Sequence, residues 1–363
     1  MSNLHIGIAG AGLAGRTLAW RLLRAGCRVS LFDARRRDDV ATASMTAAAM
    51  LSPLAELAVS DEAVFAMGQR SMQLWPQWIA ELAAEGLPVY FRREGTLVVA
   101  HAPDQSSLAH FTGLLLHKLP EAVRAQVHTL DAAALGVAEP ALAGRFGGGL
   151  LLDGEGQLAN DQWMAALATE IDRLGGSWME GCAIDGVEDD HIECAGKTYG
   201  MDITVDARGV GAKESWPQLR GVRGEVLTVE CPGVTLQRPV RLMHPRYQLY
   251  VAPRPGNRFV VGATELESED TGPVTLRSTL ELGSALHSLH PAFGEARVLR
   301  LAAALRPALD DHRPTVQQRD GVWHINGLYR HGYLCAPALV DGLVQQLTGS
   351  TAVLKALKEE RVT

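Results

Sequence analysis

The sequence predicts an α/β fold in which a βαβ nucleotide-type domain interleaves with a smaller, β-rich α+β domain. Three observations predict it. Residues 1–33 read as strand, helix, strand with glycines at the first turn. Residues 221–264 are dense in short alternating strands. No low-complexity linker or internal repeat separates the two regions, so the chain crosses between domains several times.

The first element carries the most information. Leu4-His5-Ile6-Gly7-Ile8-Ala9 is an apolar strand, followed by Gly10-Ala11-Gly12-Leu13-Ala14-Gly15 and a helical stretch. Gly10 permits the tight turn, Gly12 lets backbone approach a diphosphate, and Gly15 lets helix pack closely on strand. The helix N-terminus offers unpaired N–H groups and a positive dipole end to phosphates. Asp33 closes the second apolar run, Cys27 to Phe32, and is placed to accept from a ribose hydroxyl. This Rossmann-type layout predicts a bound dinucleotide and does not by itself separate FAD from NAD. Arg35-Arg36-Arg37 reads as a solvated loop, with a phosphate clamp as the alternative.

Downstream, residues 41–58 suggest a loop entering a short helix. Residues 61–85, 104–118 and 120–135 carry helical spacing. Leu87 to Ala100 alternates like a strand around Glu94-Gly95. A helix follows at Asp161 to Leu174, then strand pieces at Trp178 to Ile184, His191 to Cys194 and Met201 to Asp206. Further strands are expected at Gly224 to Val229, Tyr247 to Ala252, Phe259 to Gly262, Arg297 to Leu305 and Val322 to Asn326. Helices are expected at 275–289 and near 334–348. Met201-Asp202-Ile203-Thr204-Val205-Asp206-Ala207-Arg208-Gly209 can return to cover a cofactor, or be a plain strand and turn. Pro337 suits the first turn of the last helix, whose N-terminus can face a flavin pyrimidine or simply dock the C-terminal region. The resulting division is 1–85, 145–215 and 295–363 for the cofactor domain, with 86–144 and 216–294 for the substrate domain.

Blocks along most of the chain resemble the D-amino-acid oxidase superfamily. They are the N-terminal fingerprint, Ala43-Ser44-Met45-Thr46-Ala47-Ala48-Ala49-Met50-Leu51-Ser52-Pro53, Arg223-Gly224-Glu225-Val226-Leu227, Tyr250-Val251-Ala252-Pro253-Arg254, Val260-Val261-Gly262-Ala263-Thr264-Glu265, Leu305-Arg306-Pro307 and Tyr329-Arg330-His331-Gly332. Within that superfamily they are most similar to the glycine oxidase branch of thiamine biosynthesis. The resemblance implies FAD, a two-domain fold and amine oxidation. It implies cofactor contacts from Gly10, Gly12, Leu13, Ala14 and Gly15, and from Asp33, Ala34 and Arg35. Ser44, Met45, Thr46, Ala48 and Met50 join them, with Ala183, Ala207 and Gly209. The tail adds Arg306, Arg330, His331, Gly332, Tyr333 and Leu334.

The same resemblance makes Arg306 the partner of a substrate carboxylate, through a planar bidentate fork. Tyr250 reaches that carboxylate as well, and Arg330 stands beside flavin and pocket. The implied chemistry is hydride transfer from Cα of glycine or another small amine to flavin N5, O2 then giving H2O2. No Cys or His matches an attachment motif, so the FAD is expected to be non-covalent. The chain departs from the family at Ala308-Leu309-Asp310-Asp311-His312-Arg313-Pro314, at Leu328-Tyr329-Arg330-His331-Gly332, and in having Asp33 where Glu is common. An oxidase for larger D-amino acids or N-methyl amines, a dehydrogenase using another acceptor, and a non-catalytic FAD-binding protein stay open as alternatives.

Composition sets the remaining bounds. The 363 residues carry a net charge of -7, against a general nucleic-acid binder. No run of eighteen apolar residues predicts a membrane span. Residues 4–23 lack the basic start of a signal peptide. Five cysteines form no CxxC pair, so reduced thiols in the cytoplasm are expected. His287-x-x-His290 and His191-Ile192-Glu193-Cys194 lack partners at ligand spacing, so no metal is expected. A homo-oligomer is compatible with all of this.

Overall fold

A computed structural model describes residues 4–244 and 249–359, with side chains to residue 349. One sheet is six-stranded and one eight-stranded, and the cavity between them holds the candidate site.

The six-stranded sheet runs Thr315–Arg319, Val322–Asn326, Ile203–Asp206, His5–Ala9, Arg28–Asp33, Ser177–Glu180. Every pairing is parallel except the edge pair formed by Thr315–Arg319 and Val322–Asn326. The helices Leu13–Arg24, Asn160–Arg173 and Gly332–Glu359 pack against it. Their interior is aromatic: Trp20, Trp75, Trp78 and Trp163 are buried and meet edge to face at centroid distances of 4.7 to 6.3 Å. Such contacts add to the area each ring buries.

The eight-stranded sheet runs Arg297–Ala308, Arg220–Glu230, Arg258–Gly262, Leu249–Arg254, Val240–Met243, Thr96–Ala100, Gly148–Leu152, Val127–Asp131. It is antiparallel except where Val240–Met243 meets Thr96–Ala100. Helix Leu276–Leu289 covers one face through Leu282, Leu286 and Leu289. A buried ion pair, Arg223 to Glu225 at 2.6 Å, lies in this sheet. Arg223 also donates to the carbonyls of Asp270, Gly272 and Pro273, which anchors the loop beyond Thr264.

Several expectations change here. Residues 120–135 are not one helix: a 3-10 turn Glu121–Gln126 leads to strand Val127–Asp131 and helix Ala132–Ala138. Asp131 starts that helix by accepting from the N–H of Ala134 at 2.8 Å, and Val127 and Thr129 suit an edge strand. The run from Trp178 splits at Gly181 into Ser177–Glu180 and Ile184–Val187, which belong to different sheets. Strands Lys197–Gly200, Val240–Met243 and Thr315–Arg319 were not anticipated. Tyr247 and Gln248, placed in a strand by the sequence, lie outside the described residues. Gly148–Leu152 and Arg297–Ala308 pair in the eight-stranded sheet, although the sequence reading set them with the six-stranded one. Cys182 and Cys194 form a disulfide with Cα atoms 5.9 Å apart, correcting the expectation of thiols only. Cys27, Cys231 and Cys335 are buried and take no part in that bond. Among the described residues, no helix is long and apolar enough to cross a membrane, and no three His, Cys, Asp or Glu side chains gather as metal ligands.

Trp163 touches both Trp20 and Trp75. Trp163→Ala is expected to destabilise the protein by about 3–5 kcal/mol, the usual cost of emptying a large aromatic site. Denaturant midpoints of the two proteins give the measurement, and an unchanged midpoint rejects this cluster as the core of the parallel sheet.

Candidate functional site

Two of the helix starts that meet the cavity come from distant parts of the chain. The first strand ends at Gly10, with φ +98°, where a Cβ would lie 2.5 Å from the carbonyl oxygen of Ala207. A Cβ on Gly15 would lie 1.8 Å from the oxygen of Gly10, so helix and strand are in backbone contact there. A Cβ on Gly12 would meet no atom within 4 Å and would project into the cavity that Gly12 lines. The turn is kept clear on one side and closed on the other, as a diphosphate needs. The last helix begins at Gly332, and a Cβ there would approach the Leu13 side chain at 3.5 Å. Two positive helix ends thus face one space.

That space has a volume of about 1270 Å³. Asp33 accepts from the N–H of Ala11 at 2.6 Å and of Arg35 at 2.8 Å, fixing its carboxylate at the mouth of the first turn. Arg16 is buried beneath that turn and donates to the carbonyls of Ala11, Met164 and Arg37. The basic run is tied down: Arg35 pairs with Asp39, Arg36 with Asp38, and Arg37 with Glu180 and Asp172. Short helix Ala43–Thr46 is pinned by Tyr333 Oη and Asn160 Nδ2, both donating to the carbonyl of Ser44 at 3.0 Å. Thr46 Oγ1, in the wall, is buried without a hydrogen-bond partner.

The other end of the cavity is charged. Arg306 extends from strand Arg297–Ala308, and both of its Nη atoms donate to the carbonyl of Thr264 at 3.0 and 3.1 Å. It lies flat over Gly224, where a Cβ would come within 2.3 Å of the guanidinium. Tyr250 stands with its hydroxyl over Gly262 and pairs across strands with Arg241. Burial raises the Tyr250 phenol above its ordinary value, so it stays protonated.

Glu56 is the centre of this end. Arg241 Nη2 donates to its Oε1 at 3.1 Å and Arg330 Nε to its Oε2 at 3.1 Å, while His331 Nδ1 lies 3.4 Å from Oε2. Burial alone pushes the carboxyl up, but the guanidinium groups of Arg330 and Arg241 outweigh it and hold the value down to about 2. Burial pushes His331 down to about 4. Arg330 also donates to Glu265, which accepts from Tyr329 Oη. Tyr329 holds φ at 45°, a costly angle for a tyrosine, and is fixed by that bond and by the His312 ring at 4.5 Å.

Of the residues the sequence singled out, Gly10, Gly12, Leu13, Ala14, Asp33, Ala34, Arg35, Ser44, Thr46, Ala48, Met50, Ala207 and Gly209 line the cavity. So do Tyr250, Arg306, Arg330, His331, Gly332, Tyr333 and Leu334. Gly15, Met45 and Ala183 are not on its wall. Gly15 acts through backbone packing, and the carbonyl of Met45 accepts from Arg300. Ala183 accepts from Ala195 in the hairpin beside the sheet. The divergent segment 308–314 adds nothing to the wall either; His312 and Arg313 bond to Arg220 and Asp61 outside it. Glu56 and Arg241 escaped the sequence reading. Glu56 reads as an ordinary acid in a helix's first turn, and Arg241 sits in an unanticipated strand. Glu265 stood inside a family block without a role.

Residues 5–345 match the family described as DAO, FAD dependent oxidoreductase. The chain belongs to that family. The oxidoreductase is 41% identical over 346 residues to the putative thiamine biosynthesis oxidoreductase ThiO of Rhizobium etli, spanning 95% of this chain and 96% of that protein. Glycine oxidase of Geobacillus kaustophilus is 24% identical, spanning 94% and 93%. A crystal structure of glycine oxidase from the same organism has the same fold, with a TM-score of 0.82 over 95% of each chain at 23% identity. Iminodiacetate oxidase from a Chelativorans species superposes with a TM-score of 0.81 over 95% of each chain at 21% identity. FAD fits the observed cavity: the open space at Gly12, the orphaned Thr46 hydroxyl and the paired helix ends are what a flavin dinucleotide requires.

Two substitutions separate cofactor space from packing. Gly12→Val is expected to keep the fold and lose bound FAD, whereas Gly15→Ala lowers the melting temperature itself. Flavin released on denaturation and apoprotein thermal melts measure both. A yellow Gly12→Val protein rejects the diphosphate assignment.

His331 gives a pH signature. Its folded value of about 4 lies below the 6.5 of an ordinary histidine, so the unfolded chain binds more protons between them. Stability is expected to fall as pH drops from 6.5 towards 4, and His331→Asn to flatten that slope. Melting temperatures across this range decide it, an unchanged slope removing His331 as its source.

Proposed function

We propose that the protein oxidatively deaminates glycine or another small amine or D-amino acid, with non-covalent FAD and with O2 as final acceptor. Bound FAD supplies the two-electron acceptor. The substrate loses a hydride from Cα and becomes an imino acid, which water converts to the oxo acid and ammonia. The electron pair reaches O2 as H2O2. The likeness to the Rhizobium etli protein supports a place in thiamine biosynthesis.

One observation carries this reading: Arg306 and Tyr250 line the same end of the cavity whose other end holds the Gly12 turn. A guanidinium has five N–H groups in a rigid fork. Two of Arg306's serve the carbonyl of Thr264, which orients the plane and leaves the remainder for a substrate carboxylate. Tyr250, kept protonated by burial, donates to that same carboxylate. Charge balance agrees. Among Arg241, Arg306, Arg330, Glu56 and Glu265, one positive charge is uncompensated, and burial keeps His331 uncharged at neutral pH. A ligand with one carboxylate and a neutral amine cancels it. The neutral amine is also the form that releases hydride. No side chain is asked to act as base; the residues orient and neutralise.

Arg306→Ala is expected to raise KM about 10- to 100-fold, matching the ~1.5–3 kcal/mol of a charge-assisted hydrogen bond, with the flavin spectrum unchanged. Peroxide release over glycine, sarcosine and D-alanine tests the activity. Bleaching by substrate without air, and no peroxide in air, points instead to a dehydrogenase. No bleaching by any of the three rejects the proposal.

A further inference from the structure

A groove of about 390 Å³, open to the surface, adjoins the main cavity. It is lined by Val59, Ser106, Ser107, His110 and Leu114, together with Phe111, Met243 and His244. Phe111, Met243 and His244 line the main cavity too. These three residues are the partition between the two spaces.

The partition is built from packed elements. Phe111 projects from helix Gln105–Lys118 and is 5% exposed. It packs in one apolar cluster with Met243 and with Leu54, Ala55, Leu57 and Ala58, the neighbours of Glu56 on their helix. Met243 stands two residues beyond Arg241 on its strand, so it shares the face on which Arg241 meets Tyr250. The ring and the thioether therefore close the cavity next to the residues assigned to the substrate carboxylate.

We propose that Phe111, supported by Met243, determines substrate size. Its ring bars the α-substituent of an amino acid from the space behind it, and so restricts the reaction to glycine and the smallest amines. Removing the ring opens the main cavity into the groove and admits D-amino acids with branched apolar side chains beside Val59, Leu114 and Met243. Phe111 touches neither carboxylate nor amine, so its effect falls on the choice of substrate. This inference rests on the reading of the main cavity as an amine oxidase site.

The experiment compares wild type, Phe111→Leu and Phe111→Ala, each carrying FAD, with glycine and with D-leucine. Flavin content and melting temperature are recorded for each. The ratio of kcat/KM for D-leucine over that for glycine is expected to rise in the order wild type, Leu, Ala. The rise at Ala is at least about tenfold, the lower end of what a methylene in an apolar pocket is worth. A second readout needs no turnover: the affinity for 4-methylpentanoate, followed by its perturbation of the flavin spectrum, is expected to tighten relative to acetate in the same order. Flavin-loaded variants that oxidise glycine but show no change in either ratio overturn the partition. If Phe111→Ala does not fold, Phe111→Leu and Met243→Ala carry the same expectation and the same refutation. Wild type inert to every small amine condemns the oxidase reading instead, and the acid-binding ratios still decide whether Phe111 separates the cavity from the groove.

Discussion

A buried carboxylate holds the working end of this molecule together. Glu56 starts on a short helix, and its partners come from two other places: Arg241 from the eight-stranded sheet and Arg330 from the turn before the last helix. Removing a charge from water is costly, and one such group with no partner is costlier still. The arrangement avoids this by giving each carboxylate oxygen its own guanidinium. The same bonds fix where Arg330 and Arg241 can stand, which leaves Arg306 and Tyr250 facing open space.

The architecture explains how chemistry at that end is kept electrically quiet. Tyr250 and Tyr329 are held in their protonated forms by burial, and His331 in its neutral form. The carboxyl groups of Glu56 and Glu265 are held ionised by nearby guanidinium groups and, for Glu265, also by the Tyr329 hydroxyl. No group in the set changes charge readily near neutral pH, so the field at the substrate is constant. That suits a reaction whose residues orient rather than shuttle protons.

Much of this was legible in the sequence because its causes are local. The Gly10, Gly12 and Gly15 spacing answers to backbone clearances of a few ångströms, and Asp33 closes a strand that pairs with the first. Arg306 and Tyr250 were reachable only through family blocks, since nothing in their immediate neighbours distinguishes them from surface and packing residues. Glu56 and Arg241 were not reachable, because their role exists only after three distant segments meet. Strand Val127–Asp131 was missed for a related reason: its pairing partner begins at Gly148, beyond a helix that masks the alternation. The domain boundaries drifted where strands Gly148–Leu152 and Arg297–Ala308 leave one sheet's sequence neighbourhood for the other sheet.

The placing of Gly332 beside Leu13 has a consequence for how the molecule is made. The floor of the dinucleotide cradle leaves the ribosome more than three hundred residues ahead of its roof. During that interval the first turn has no last helix above it. Cofactor capture is therefore a late event in biogenesis, coupled to arrival of the tail. A nascent chain halted before residue 332 has only one of the two helix ends that face the cavity.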